Sequence, residues 1–186
     1  RAREAYKDVP IIIGGTEATM RRFAHYDYWQ DIVRRSVIFD AKADILVYGM
    51  GENAIIEIIS LLEKNVPFSS ITNIKGTAYI SKSSPKPSKN FTDIEIPSFE
   101  QVSQDKKEYI KAFKIQYEQQ DPVWGARIIQ KHNDRYLVNN PMSDPLSTEM
   151  MDYIYSLPYE RTYHPQYEKT GGIDAIKEVK FSVTSH

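Results

Sequence analysis

The sequence predicts an α/β fold, a parallel-sheet part followed by a helical extension. Three observations carry this expectation. The apolar runs "VPIIIGG" (9–15) and "ADILVYG" (43–49) both end in glycine and both lead into helix-forming text. A third stretch, "ENAIIEIISLLEKN" (52–65), spaces its apolar residues as an amphipathic helix does. Strands that alternate with helices favour parallel neighbours, because a parallel pair needs a crossover connection. Two strands do not make a stable sheet, so further strands are expected upstream of Arg1.

Taken in order, "REAYKD" reads as a charged helical end, followed by the first strand, a helical and loop region to Asp40, the second strand and its helix. "ITNIKGTAYIS" (71–81) alternates as a hairpin does, with Gly76 near the turn. "KSSPKPSKN" (82–90) has no apolar anchor and reads as an exposed linker. Residues 98–120 place Phe99, Val102, Tyr109, Ile110, Phe113 and Tyr117 at mostly helical spacings, which predicts one long helix ended by Asp121-Pro122. "RYLVNNP" is a short strand or extended piece. "LSTEMMDYIYSLPY" is a helix with Ser147 as N-cap and Pro158 as its stop. The closing "EVKFSVTSH" alternates Val179, Phe181 and Val183 as a strand. The boundaries that follow are an α/β part over 1–81, a linker over 82–97, a helical extension over 98–178 and a new strand over 179–186.

Composition narrows the function classes. The 186 residues suffice for one well-buried core. Lys and Arg (24) nearly cancel Asp and Glu (25), so no bulk field draws the chain to nucleic acid. With no cysteine there is no disulfide, zinc–thiolate site, cysteine nucleophile or iron–sulfur ligand in this stretch. The apolar runs fall far short of the ~20 residues of a membrane span, so the expected setting is the cytoplasm. "RAREAYKDVP" has neither a signal-peptide core nor an initiator methionine, and it reads as cut from a longer chain.

The two strand-to-glycine junctions hold most of the chemistry. Gly14, Gly15 and Glu17 follow the first strand, and Gly49, Gly51 and Glu52 follow the second. Glycine permits close approach of a ligand, and the carboxyl ends of strands are where open α/β sheets bind ligands. The competing reading is of tight turns whose acids complement helix dipoles. Neither junction is a full G-x-G-x-x-G, so a dinucleotide site of the usual kind is not supported. Between them, Arg21, Arg22, Arg34 and Arg35 bracket "HYDYWQD". Guanidinium groups bind carboxylate or phosphate as forks, Tyr26, Tyr28 and Trp29 offer stacking faces, and His25 with Asp27 form a candidate proton-transfer pair. A structural knot of salt bridges is the alternative, and the cluster as a whole points to a ligand-facing surface. His132 reads as a turn histidine and His164 as a loop feature. No metal site is expected.

"VPIIIGGTEATMRRFAHYDYWQDIVRRSVIFDAKADILVYGMGE" resembles the N-terminal region of the YgiQ family of radical SAM proteins. "PSFEQV", "ARIIQKHNDRYLVNNP", "PLSTEMMDYIYSLPYER" and "IKEVKFSVTSH" fit in the same order, and only the 82–90 zone departs. The resemblance implies that "VKFSVTS" is the first strand of a radical SAM barrel and that a CxxxCxxC-type cluster loop follows it. It further implies a [4Fe-4S] cluster and S-adenosylmethionine for the full-length protein, with none in this stretch. The downstream barrel of the same chain would be the partner of this accessory domain, which would contribute to binding an unknown substrate or cofactor. The paired junctions are similar to the Rossmann-like, cobalamin-type domains that precede many such barrels, although no D-x-H-x-x-G supports cobalamin itself. The alternative function is a protein- or RNA-binding module without catalysis.

Overall fold

The computed structural model describes residues 2–180. They fall into two compact units divided between Leu146 and Ser147. The first contains α1 (Ala2–Ala5), β1 (Ile12–Ile13), α2 (Thr16–Met20), β2 (His25–Asp27), β3 (Ile32–Arg34), α3 (Val37–Ala41), β4 (Ile45–Val47) and α4 (Glu52–Glu63). It continues through β5 (Thr77–Ser81), β6 (Asp93–Ile96), α5 (Phe99–Gln104), α6 (Lys106–Glu118), β7 (Arg127–His132) and β8 (Arg135–Asn139). No helix among the described residues is long and apolar enough to cross a membrane.

The α/β expectation holds, and the first two predicted strands do pair in parallel, with Ile12 opposite Ile45 and Ile13 opposite Leu46. The sheet is larger than the sequence suggested. Six strands run in the order β1-β4-β5-β8-β7-β6, with β6–β7 also parallel and the three central pairings antiparallel. Strands β2 and β3 form a separate antiparallel hairpin.

β4 explains why "ADILVYG" is apolar throughout. Successive side chains of a strand point to opposite faces. Ile45 and Val47 join Ala54 and Ile58 of α4 in one core, while Leu46 and Tyr48 join Phe23, Phe39, Val102, Ala112 and Leu137 in the other. A strand covered on both faces has no polar side.

Several local expectations are corrected. The stretch 71–81 is no hairpin, since only Thr77–Ser81 is a strand and it pairs with β4 and β8. The long helix over 98–120 is two helices. Ser98 and Gln101 form a reciprocal capping box that starts α5, and Asp105 leaves helical geometry to accept the Lys107 N–H and start α6. Residues 93–96 and 127–132, read as linker and helical extension, are strands of the main sheet. The 82–90 zone is mostly exposed, as expected, but it is tethered. Buried Arg127 holds Asp93 through two 2.7 Å bonds and donates to Lys86 O at 2.8 Å. His132 is not in a turn. It lies in β7 at 3% exposure, with its ring against Phe39 and stacked on Phe99.

The second unit contains α7 (Thr148–Ser156), whose Ser147 cap accepts from the Met150 N–H, and α8 (Asp174–Val179). His164 caps a 3-10 turn over Pro165–Thr170. Val179 closes a helix rather than opening a strand, and the rest of the strand expected there, 181–186, lies outside the described residues.

Two buried polar groups make stability predictions. Asn140, fully buried, donates to Thr72 O, Ile74 O and Thr77 Oγ1 at 2.9–3.0 Å. Asn140→Ala takes this donor from Thr72 O and leaves Ile74 O with the Thr77 hydroxyl alone, and is expected to cost about 2–4 kcal/mol, read from urea unfolding. Burial pushes the His132 pKa down from 6.5 to about 4. Because the unfolded chain binds the proton more readily, the stability from neutral His132 is complete above about pH 6.5 and is lost as pH falls toward 4. Between pH 7 and 4.5 the native protein should lose about 2–3 kcal/mol more than a His132→Phe variant does. Equal pH profiles for the two would contradict it.

Candidate functional site

Parallel pairing of β1 with β4 brings the two glycine junctions to one edge of the sheet. Gly14 ends β1 so close to β4 that a Cβ would lie 3.3 Å from Val47 O. Gly15 caps α2 at φ 90°, a conformation other residues rarely adopt, and Gly49 turns the chain out of β4 at φ 67°. Gly51 caps α4, and Glu52 is its exposed first residue.

The chain joins these junctions through Arg22. Its guanidinium lies 4.7 Å from the centre of the Tyr48 ring and 5.2 Å from that of Phe23. Nη1 donates to Thr19 O at 2.6 Å, while the buried Nε has no partner. Burial lowers the Arg22 pKa, and among the described residues no carboxylate offsets that cost. Tyr48 carries the network inward. Burial pushes its hydroxyl up to about 12, so it stays protonated and donates to Asn140 O at 2.5 Å. Asn139 Nδ2 donates to the Tyr48 hydroxyl at 3.1 Å and to Asn140 O at 2.9 Å.

The other predicted residues form separate groupings. Arg21 pairs with Glu17 at 2.8 Å, one helical turn apart. Across the β2–β3 hairpin Arg34 pairs with Asp27 at 2.8 Å, and Arg35 donates to Asp40 at 2.6 Å. Partial burial opposes charge on Asp27. The Gln30 and Trp29 N–H groups and Arg34 outweigh it and hold the carboxyl below its ordinary range.

His25 and Asp27 do not share a hydrogen bond. His25 Nδ1 lies 3.1 Å from Phe23 O, and since a carbonyl only accepts, this nitrogen carries the proton. Burial, with Arg21 and Arg34 nearby, lowers the His25 pKa and keeps the ring neutral near pH 7. These ion pairs are of the kind the structural-knot alternative expects. Of the four arginines only Arg22 stands outside them.

Tyr48, Asn139, Gln116 and Gln119 also border the Arg22 cavity, and the sequence reading singled out none of them. One signal was available. "VNNP" puts two asparagines at the end of an apolar strand, where poor strand formers stay only if their amides are used.

With this geometry in hand, relatives place the chain. Residues 1–182 match the family described as Radical SAM N-terminal. The chain is 56% identical over all 186 residues to a UPF0313 protein of Clostridium botulinum (strain 657 / Type Ba4), covering 29% of that protein. It is 52% identical over 185 residues to a UPF0313 protein of Clostridium perfringens (strain 13 / Type A), covering 28% of it. The chain thus spans under a third of the length of these curated relatives. No solved structure matches it. The chain belongs to the radical SAM N-terminal domain family.

Proposed function

We propose that this chain is the N-terminal accessory domain of a radical SAM iron–sulfur enzyme of the YgiQ kind, and that it contributes a binding face for substrate or cofactor. The observation that carries the reading is Arg22, a half-buried guanidinium without an acid partner where two strand ends meet. A buried charge with no counter-ion is costly, and a ligand anion offsets that cost.

A [4Fe-4S] cluster with bound S-adenosylmethionine would supply the radical chemistry, but this stretch does not fit the cluster. It has no cysteine, and no three His, Asp or Glu residues group as metal ligands among the described residues. The thiolates therefore belong to the rest of the protein in this reading, and the role left to these residues is to bind and orient. The Arg34–Asp27 pair bridges the two strands of the β2–β3 hairpin, and Arg35 ties its end to Asp40 of α3.

The experiment uses the full-length protein, loaded anaerobically with iron and sulfide. Cluster absorption and reductive cleavage of S-adenosylmethionine to 5′-deoxyadenosine are expected, and absence of both would sink the reading. Arg22→Ala removes no partner from a buried acid, so its stability cost is limited to the two ring contacts and one hydrogen bond, about 1–2 kcal/mol. It should also lower the cleavage rate stimulated by a small-molecule cell extract. A variant that loses several kcal/mol while turning over normally per folded molecule would point to a structural role instead.

One observation favours the interaction-module reading. Tyr28 and Trp29, at the tip of the β2–β3 hairpin, are 77% and 87% exposed and meet edge to face. Binding to single-stranded RNA that falls steeply with added salt and depends on Trp29 would support that alternative.

A further inference from the structure

A cavity of about 90 Å³ opens between α2, the end of β4 and α6, with Thr19, Arg22, Tyr48, Asn139 and the glutamines Gln116, Gln119 and Gln120 as its polar lining and Ile128 and Met142 as its apolar wall. A water needs only about 10–15 Å³, so a group of several heavy atoms fits. Its polar groups are left incomplete in a specific way. Arg22 spends one nitrogen on Thr19 O and keeps Nε without a partner. Gln119 Oε1 accepts from the Ala126 N–H at 2.9 Å, which leaves its amide NH2 as a donor.

Asn139 supplies the opposite need. At 3% exposure its Oδ1 is buried with no donor. The amide cannot be turned round, because Nδ2 bonds Asn140 O at 2.9 Å and a carbonyl only accepts. The cavity wall therefore holds a cation with an unused N–H and, inside the buried Asn139 side chain, a carbonyl oxygen with no donor. The Tyr48 ring under the guanidinium and the Tyr48 hydroxyl on Asn139 tie the two together.

We propose that this cavity binds an α-amino acid, its carboxylate on the Arg22 guanidinium and its ammonium donating to Asn139 Oδ1; the site narrows, and rests on, the reading of this sheet edge as a binding face. A plain carboxylate satisfies Arg22 and leaves Asn139 Oδ1 dry. A phosphate brings only further anionic oxygens toward that carbonyl. A metal cation is repelled by Arg22. An amino acid carries both complements within a few atoms, and the Ile128–Met142 wall gives its side chain an apolar surface.

Calorimetry on the full-length protein tests the site, with each of the twenty amino acids, acetate and inorganic phosphate as probes. At least one amino acid should bind, with acetate and phosphate weaker by about tenfold or more. Arg22→Met should abolish binding. Gln116→Glu, half-exposed on α6 and taken from a side chain with no hydrogen bond among the described residues, should keep the melting temperature and weaken binding about tenfold or more through a competing carboxylate.

Failure of every amino acid, binding of acetate or phosphate as tight as that of any amino acid, or unchanged affinity in both variants overturns the proposal. Cluster content and S-adenosylmethionine cleavage in the same preparations report on the enzyme reading separately. Lost amino-acid binding with an intact cluster sinks this site alone, and intact binding without a cluster sinks only the enzyme reading.

Discussion

The carboxyl end of the sheet depends on two adjacent asparagines, Asn139 at the end of β8 and Asn140 directly after it. Asn140 is fully buried and fixes the irregular segment before β5 through Thr72, Ile74 and Thr77. The Asn140 carbonyl takes the Tyr48 hydroxyl and the Asn139 amide. In a dry interior each of these bonds is strong and each missing partner is expensive, so the network admits one arrangement of the three strands it joins. The backbone closes the same joint, with Tyr48 N–H donating to Gly76 O and Gly76 N–H to Pro141 O. Tyr48 is held rigidly by this lattice, and Arg22 stacks on the rigid ring.

Arginine supply and acid supply are matched nearly everywhere else in this unit. Arg21, Arg34, Arg35 and Arg127 each meet a carboxylate at 2.6–2.8 Å. Most of these pairs are partly exposed and contribute little individually to stability. The Arg127–Asp93 fork is the exception, being buried, bidentate and tied to Lys86 O, and it fastens the Ser- and Pro-rich segment to the sheet. Against that pattern Arg22 is distinguished by what it lacks. Its compensation comes from two aromatic rings and one carbonyl, which stabilise a guanidinium without neutralising it.

The two histidines of this unit show how burial separates groups of the same chemistry from a reactive role. His132 is clamped between Phe39 and Phe99, with Nε2 3.2 Å from Gln130 Oε1. Gln130 in turn accepts from the Ala24 N–H and donates to Pro97 O, so one buried amide ties the start of β2, the end of β6 and β7 together. His25 spends its proton on Phe23 O. Both rings are neutral near pH 7 because burial disfavours their charged forms.

Residue pattern alone determined the α/β class, the strands Ile12–Ile13 and Ile45–Val47, the helix after each junction, and the Ser147 cap. These follow from periodicity and short-range hydrogen bonding, which lie within a few residues of text. Sequence also singled out the four arginines, His25 and Asp27 as one cluster. It did not say which of them pair. An ion pair such as Arg34–Asp27 needs a hairpin register, and Arg22–Tyr48 needs β1 laid beside β4. The strands β6 and β7 were hidden because one is short and the other carries Arg127, Gln130 and His132 in a buried strand. Such polar residues are stable there only with partners that tertiary contact supplies. The break at Asp105 was local and legible as a cap. The cavity was not, because its walls come from α2, β4, α6, β7 and β8, and side chains 90 or more residues apart meet only once the sheet has closed.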